Sequence, residues 1–483
     1  MSWEPELEEL RRREELARAM GGEERVARQH ASGRLTVRER IARLFDPGSF
    51  HETGALAGRA SYDEGGELAG FVPANTVVGQ GRIDGRLAVV QGDDFTIRGG
   101  AADAAIWEKA VYAERMAHDL RLPLARLVDG TGGGGSVKTL EQAGFSYVPP
   151  LPGFDLVVRN LSIVPVVAAA LGPVAGLGAA RVVCSHFSVI VRGTAQLFVA
   201  GPPVVAAAMG EAPDKEELGG ARMQARAGAV DNVAADEGDA LDQLRRFLAY
   251  LPANVWEAPP SAAAADPAER REEELLSIVP RDRRRTYKMR HVLEAVLDRG
   301  SIFELGAAFG RPAITCLARL GGRPVGVLAS DPEHYGGGVT ADAAEKTARF
   351  VDVCDQFHLP VVNLVDVPGF VIGTEAERGG TIRRGARGLF AIAQASVPWV
   401  SILVRKVYGV AGAGHGDGSR LNLRYAWRRA TAARCRSRAD SRRLTGASST
   451  RPRIPRRGGP RSRPGSRPCA RPSPRRSASA SRR

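Results

Sequence analysis

The sequence predicts an α/β protein built from two homologous domains in tandem. From about residue 75 onward, short β-branched runs alternate with Gly-rich turns and Ala-rich helical stretches, a texture typical of α/β units. A later segment of the chain also repeats an earlier one. Residues 85–130 match residues 322–367 without a gap, with 14 of 46 positions identical. Chance similarity is the alternative, but agreement over strand, Gly turn, helix, Leu-Pro and strand argues against it.

The elements follow in order along the chain. Residues 1–50 have the pattern of polar helices, which end at the turn Asp46-Pro47-Gly48. The segment Asp103–Leu120 predicts a helix, and Trp399–Val404 predicts a late strand of the second domain. Five earlier apolar runs predict buried strands: Val77–Gly79, Leu87–Val90, Leu124–Val128, Ile163–Ala169 and Phe187–Val191.

Composition divides the chain into four parts. Residues 1–252 form the predicted first domain, and residues 253–273, rich in Ala, Pro and charge, form a linker. Residues 274–427 form the predicted second domain. Residues 428–483 consist largely of Arg, Ser, Pro, Ala and Gly with no helical or strand period, which predicts a disordered basic tail.

The net charge of +14 lies in that tail. Residues 428–483 carry 19 Arg and one acid, a charge of +18, which leaves −4 for the other 427 residues. The acidic body argues against a nucleic-acid partner. A basic-tailed nucleic-acid binder, with the tail neutralising phosphates, remains an alternative.

The cysteines and the N-terminus indicate a cytoplasmic protein. The five cysteines form no CxxC pair, which argues against a zinc ribbon and a disulfide framework. The first 20 residues are charged and lack an apolar signal core, and the apolar runs are too short to span a bilayer. We therefore expect neither secretion nor a membrane partner.

Side-chain constellations for catalysis are weak. Cys184-Ser185-His186 is too local for a triad, because a nucleophile, its base and an orienting group must converge in space. Asp129 and Asp366 each end an apolar strand. They suit either a catalytic carboxylate or a cap for the next turn, and the pattern favours the cap.

Gly-rich turns at strand ends are the stronger signal. Four successive glycines, 132–135, follow Asp129, and backbone N–H groups can approach a ligand closely there. Gly99-Gly100 recur as Gly336-Gly337, and Gly172 recurs as Gly409 at the same offset of 237. A flexible surface loop and a dinucleotide-binding turn are the alternatives for 132–135. Open α/β sheets bind ligands at such strand ends.

Several long segments resemble one family. They are QHASGRLTVRERIARLFDPGSF (29–50), GDDFTIRGG (92–100), GTAQLFVAGPPVV (193–205), IVPRDRRRTYKMRHV (278–292), ADAAEKTARFVDVCDQFHLPVVNLVDVPGF (341–370) and GGTIRRGARGLFAIAQASVPWVSILVRKVYG (379–409). Over about residues 22–427 the chain resembles the carboxyltransferase (β) subunit of biotin-dependent acyl-CoA carboxylases, of the propionyl-CoA and methylcrotonyl-CoA type.

The resemblance implies two crotonase-like (ClpP/crotonase) domains. Acyl-CoA, whose coenzyme A is part of the substrate, would lie on the first domain. Carboxybiotin, delivered on a separate carrier protein, would lie on the second. The resemblance also implies a homohexamer, a partner with biotin carboxylase and biotin carboxyl carrier functions, and no metal in this subunit. Relatives that decarboxylate acyl-CoA run similar chemistry in reverse, and an inactive truncated homologue is a further alternative.

The resemblance also assigns site residues. Backbone N–H groups of Gly132 and Gly133 would form an oxyanion hole for the thioester oxygen. Those of Val410 and Ala411 would form a second hole for the biotin oxygen. The residues expected at the substrates are Gly99, Gly100, Gly172, Gly409 and Ala413.

Three features depart from the family pattern. Val410 replaces a common Gly, and Ala413 stands where many members carry an acidic residue. The family also continues beyond residue 427, where this chain enters its Arg-rich segment. A frameshift that truncates the second domain would explain that change.

Overall fold

A computed structural model describes residues 2–101, 106–130, 151, 153–264, 266–267, 269–282, 284–428 and 430–433. The helices of the first half are α1 (Glu4–Arg18), α2 (Glu23–Ala31), α3 (Val37–Leu44), α4 (Trp107–Leu120), α5 (Phe154–Asn160), α6 (Leu177–Val183), α7 (Pro202–Met209), α8 (Lys215–Gly219), α9 (Ala221–Arg226) and α10 (Glu237–Leu248). Its strands are β1 (His51–Thr53), β2 (Gly58–Tyr62), β3 (Leu68–Pro73), β4 (Thr76–Ile83), β5 (Arg86–Asp93), β6 (Leu124–Val128), β7 (Val166–Ala170), β8 (Pro173–Ala175), β9 (Phe187–Val191), β10 (Gln196–Phe198) and β11 (Asn232–Ala234).

The second half has the same kind of elements. Its helices are α11 (Met289–Val296), α12 (Ala341–Gln356), α13 (Thr374–Arg378), α14 (Thr381–Gln394) and α15 (Gly409–Ala413). Its strands are β12 (Phe303–Leu305), β13 (Ala313–Leu320), β14 (Arg323–Ser330), β15 (Val361–Val367), β16 (Trp399–Tyr408), β17 (Leu423–Ala426) and β18 (Thr431–Ala433). Short 3-10 turns span Arg98–Gly100, Glu273–Leu276 and Tyr335–Gly337.

Each half contains one large mixed sheet, which confirms the predicted α/β fold with two homologous halves. The first sheet has the order β1-β4-β5-β6-β7-β9-β11 and the second has β12-β13-β14-β15-β16-β17, with β18 also beside β16. In both, two antiparallel pairs precede a run of parallel pairs. The ladders keep the predicted offset of 237, because β5 residue Val89 pairs with Leu124 and Gly326 pairs with Val361.

Local sequence features explain why individual helices and strands form where they do. Helix α3 begins with a capping box, in which the Thr36 hydroxyl accepts from the Glu39 N–H and the Glu39 carboxylate accepts from the Thr36 N–H. Strand β6 is buried along its whole length, as expected for a parallel strand covered on both faces. Its one charge, Arg126, is paired with the buried carboxylate of Glu114, with Nε and Oε1 2.8 Å apart.

The duplication extends further upstream than residue 85. The Asp46 carboxylate accepts from the N–H groups of Asp84 and Gly85 (3.1 and 2.7 Å), and the Asp298 carboxylate accepts from those of Gly321 and Gly322 (3.0 and 2.7 Å). We call this the Asp clasp. It ties the residues after α3 or α11 to the hairpin of the sheet.

An ion pair repeats at the same offset of 252 as the two clasp aspartates. Arg38 pairs with Glu52 at 2.8 Å, and Arg290 pairs with Glu304 at 2.7 Å. The β2–β3 hairpin, which only the first half contains between its first two sheet strands, accounts for the change of offset from 252 to 237.

The two halves share a hydrophobic core. Phe187 of β9 packs against Phe247 of α10 and Phe303 of β12, with ring centroids 5.0 and 5.4 Å apart. Arg349 of α12 forms an ion pair with Asp231 and donates to the Ser185 carbonyl at 3.1 Å, so polar contacts also join the halves. The domain boundaries at 252 and 273 remain predictions.

The predicted tail starts later than expected. Residues 431–433 form β18, whose backbone pairs with Lys406–Tyr408 of β16. Backbone pairing at a sheet edge depends little on side chains, so composition did not reveal it. Residues 434–483, the rest of the predicted tail, lie outside the described residues. Within the described ranges, no helix is long and apolar enough to cross a membrane.

Candidate functional site

Two equivalent left-handed turns lie against the carboxyl ends of the central strands. Gly99 and Gly100 have φ of 63° and 67°, and Gly336 and Gly337 have φ of 62° and 84°. A Cβ added to Gly100 would overlap the carbonyl oxygen of Asp129. At Gly337 it would overlap the carbonyl of Asp366 in the same way. Only glycine fits both the conformation and the space.

Each turn begins with a residue that is not glycine. Arg98 and Tyr335 both have φ of 50°. The left-handed conformation costs an L-residue with a Cβ about 1–2 kcal/mol. The two halves therefore repeat a strained backbone at the same place.

Asp129 lies in a buried ion-pair cluster. Arg40 Nη1 donates to Asp129 Oδ2 at 2.7 Å and Arg34 Nη1 donates to Oδ1 at 3.0 Å. Arg40 also makes two bonds to Glu237, at 2.6 and 2.7 Å. Burial opposes the charged form of Arg40, but Asp129 and Glu237 together raise its pKa above the ordinary value. The turn that Asp129 would cap, residues 131–150, lies outside the described residues, so the cap interpretation stays a prediction.

Asp366 has the same role in the second half. Its carboxylate accepts from Arg405 Nε (3.1 Å), the Lys406 N–H (3.0 Å) and the Tyr287 hydroxyl (3.0 Å). Burial raises the pKa of Tyr287, and the neighbouring Asp366 raises it further. The contacts hold β16 in place just before α15. The carboxylate is directed at these groups and not at the turn after β15, so the cap interpretation of Asp366 is wrong.

The predicted first oxyanion hole lies outside the described residues, since Gly132 and Gly133 fall in 131–150. The structure does describe Gly172, another residue expected at the substrates, and places it against the ion-pair cluster. A Cβ at Gly172 would overlap Asp129 Oδ1 and approach Arg34 Nη1 to 2.5 Å. Gly172 therefore lets the end of β7 close onto that carboxylate.

The predicted second oxyanion hole lies at the start of α15. Gly409 has φ of 64° and turns the chain from β16 into the helix. The first N–H groups of a helix have no intrahelical acceptor, so those of Val410 and Ala411 can donate to a ligand. The side chain of Val410 is exposed and that of Ala411 is buried. Such donors stabilise a developing oxyanion.

The structure changes one detail of the repeat. Gly172 does not have a left-handed φ, whereas Gly176, at the start of α6, has φ of 56°. Strand β16 corresponds to β7 at an offset of 233 rather than 237, because Leu124 pairs with Val166 in the first sheet and Val361 pairs with Trp399 in the second. Gly176, rather than Gly172, therefore corresponds to Gly409, and both have a positive φ.

A cavity of about 80 Å³ adjoins α15. It is lined by small and apolar residues of α12, α14 and the second sheet, and by Gly337, Ala411, Gly414 and His415. The ring of His415 donates from Nδ1 to the Gly412 carbonyl at 2.7 Å, and burial lowers its pKa, so it is neutral at pH 7. Ala413 is exposed and lies outside this lining.

The cavity contains one residue that sequence reasoning passed over. His415 was one of eight scattered histidines with no metal-ligand spacing. Its place in the Gly-rich turn after β16 was the available signal. In the part of the chain that the structure describes, no three His, Cys, Asp or Glu side chains group as metal ligands. Cys184, Cys316 and Cys354 are free thiols.

Comparison with known proteins is consistent across sequence and structure. Residues 28–433 match the family described as the carboxyl transferase domain. The carboxyltransferase subunit of propionyl-CoA carboxylase from Haloferax mediterranei is 36% identical over 416 residues, which cover 85% of this chain and 79% of the relative. The alpha subunit of methylmalonyl-CoA decarboxylase from Veillonella parvula is 36% identical over 403 residues, covering 82% and 77%.

A solved structure agrees over a similar length. The hexameric transcarboxylase 12S, with methylmalonyl-coenzyme A and methylmalonic acid bound, superposes with a TM-score of 0.82 at 32% identity. The match covers 90% of this chain and 83% of that one.

Proposed function

The chain belongs to the carboxyl transferase family, and from this premise we propose that it moves a carboxyl group from carboxybiotin to the α-carbon of a short acyl-CoA. The observation that carries the proposal is the match over residues 28–433, which contains both duplicated strand-end turns. Acyl-CoA carboxylation needs little side-chain chemistry from the protein, which suits a site built from backbone donors.

The residues of this chain would act by position and electrostatics. The N–H groups of Gly132 and Gly133 would donate to the thioester oxygen, and those of Val410 and Ala411 to the ureido oxygen of biotin. When bound, the biotin group supplies the carboxyl group to be transferred. The cavity beside α15 suits the ring system of such a group, because its lining is uncharged and mostly apolar, with the polar side chains of Ser330, Thr347, Asn363 and the neutral His415.

Partners follow from the same proposal. A separate subunit would carry biotin and its carboxylase, and the chain would assemble as a hexamer like transcarboxylase 12S. The free thiols support a cytoplasmic location. The substrates would be neutral short or medium acyl-CoAs, since Ala413 offers no charge. Rates with acetyl-, propionyl-, butyryl- and methylcrotonyl-CoA test this, and a clear preference for acetyl-CoA would contradict it.

Val410→Pro tests the second oxyanion hole. Proline deletes one N–H without adding charge and is tolerated in the first turn of a helix. Loss of one such donor typically lowers the rate about a hundred- to a thousandfold. Val410→Ala keeps the N–H and is the matched control. Transfer by Val410→Pro near the parental rate, with an unchanged thermal midpoint, would refute the assignment.

Carboxyl transfer in reverse is the second candidate. The methylmalonyl-CoA decarboxylase relative is as similar as the carboxylase relative, at 36% identity. Assays in both directions with free biotin separate the two candidates, because a decarboxylase subunit favours transfer from the carboxylated acyl-CoA to biotin. Transfer in neither direction would mark an inactive homologue.

We also propose that the Arg-rich segment arises from a frameshift at about codon 427. Resemblance to the family is dense through LNLRYAW (421–427), the family match ends at residue 433, and residues 428–483 carry a charge of +18. A GC-rich gene read out of frame gives such a composition. Sequencing the encoding DNA decides the matter. The proposal fails if neither shifted frame encodes an apolar continuation with α/β patterning.

A further inference from the structure

The turn at Tyr335 has a backbone that does not favour tyrosine. The three residues Tyr335-Gly336-Gly337 have φ of 50°, 62° and 84°. Glycine adopts this conformation freely, whereas a residue with a Cβ is strained in it. The second and third residues of this turn are glycine, yet the first is an aromatic residue.

Packing within the chain does not account for this tyrosine. Its side chain is 71% exposed, and no ring or hydrogen-bond partner for it lies among the described residues. Another left-handed residue has a local reason for its identity, since His358 Nε2 bonds the Val255 carbonyl at 2.7 Å. Strained residues without such a reason cluster at functional sites.

The turn is fixed beside the second predicted oxyanion hole. Lys406 Nζ donates to the Gly336 carbonyl at 2.5 Å, and Lys406 lies three residues before Gly409. The Val339 N–H donates to the Gly369 carbonyl at 3.0 Å. Gly337 and Val339 line the cavity that Ala411 also lines. Tyr335 itself does not line the cavity, but it lies two residues before Gly337, which does, in a turn that these bonds hold in place.

The equivalent residue of the first half indicates which ligand the ring suits. Position 98, in the same conformation, is a cation, Arg98. The two proposed ligands differ in a similar way, because acyl-CoA carries several phosphate charges, whereas the ureido ring of biotin is itself uncharged and bears a single carboxylate when carboxylated. A flat aromatic surface suits an uncharged planar ring.

We propose that Tyr335 contacts the biotin group, with its ring stacked on the ureido ring during carboxyl transfer. This inference rests on the proposed function and adds a specificity-determining side chain to a site otherwise made of backbone. The alternative is that the ring contacts a second copy of the chain.

Tyr335→Gly in the full chain tests the proposal, because glycine relaxes the turn and the variant should fold at least as well. The assay is transfer from methylmalonyl-CoA to free biotin. We expect the KM for biotin to rise about three- to tenfold. The KM for methylmalonyl-CoA and the thermal midpoint should equal the parental values within experimental error. Tyr335→Phe should keep the parental KM for biotin.

His358→Gly is the matched control, since it also replaces a left-handed residue but precedes β15 at the opposite end of the strand. It should leave the KM for biotin unchanged. An unchanged KM in Tyr335→Gly would overturn the proposal. The proposal would also be overturned if Tyr335→Gly formed a smaller assembly on size exclusion and regained the parental KM at high protein concentration. That result would identify a contact between subunits. If the parental chain neither transfers to nor binds free biotin in calorimetry, the proposed function itself fails.

Discussion

Asp129→Asn removes one negative charge from a buried cluster in which positive and negative charges balance. Arg34 and Arg40 supply two positive charges, and Asp129 and Glu237 supply two negative ones. The side chains of Asp129 and Arg40 are fully buried. Asparagine keeps the volume and leaves one positive charge uncompensated in a region of low dielectric.

The cost follows from that imbalance. Removing one partner of a buried ion pair costs about 3–5 kcal/mol, because the remaining charge stays desolvated. For a protein of this size the thermal midpoint should fall by about 3–6 °C. Restoring neutrality with Arg34→Gln in the same chain should recover part of the loss, since Arg34 is the more exposed of the two arginines.

Thermal and urea unfolding followed by circular dichroism measure the effect. Asp119→Asn is the matched control, because Asp119 is a largely exposed carboxylate that contacts the His118 ring at 3.1 Å and belongs to no buried cluster. It should change stability by less than about 0.5 kcal/mol. The reasoning would be refuted if Asp129→Asn were as stable as Asp119→Asn, or if adding Arg34→Gln made it less stable.

Two further predictions concern close packing and pH. Gly337→Ala should destabilise far more than Gly409→Ala, although both glycines have left-handed φ, because only Gly337 faces a carbonyl oxygen while Gly409 has open space around it; equal thermal midpoints would contradict the close approach. Burial lowers the pKa of His186 from 6.5 to about 4, and its ring accepts from the Val166 N–H at 3.0 Å, so the unfolded chain binds this proton more readily. Stability should therefore fall by up to about 3 kcal/mol as pH drops from about 6.5 to about 4, and His186→Asn should flatten that part of a urea-unfolding series; a parental slope in the variant would exclude His186 as its source.

The strands of the central sheets were predictable because their signal is local. Leu124–Val128 and Phe187–Val191 are continuous apolar runs, and both are strands with those bounds. The gap-free repeat also located the glycine turns. It missed the Asp clasp, because the β2–β3 hairpin changes the offset and removes the alignment upstream of residue 85.

The surroundings of the site were beyond reach of the sequence. Nothing in the spacing of Arg40, Asp129 and Glu237, which are up to 197 positions apart, shows that they meet. Turn chemistry explains a strand-end aspartate equally well when its partners are unknown. Likewise, the exposure of Tyr335 and the lining of the cavity depend on packing between helices and sheet that no local pattern encodes.

The shared core of the two halves has a consequence for their origin. Phe187 and Phe303 belong to different halves, so a single ancestral unit would have exposed this face and needed a second copy to cover it. Joining two copies in one chain makes their pairing intramolecular, at an effective concentration that no dilution removes. The sequences of the two copies could then diverge independently, as Arg98 and Tyr335 have done on an unchanged turn.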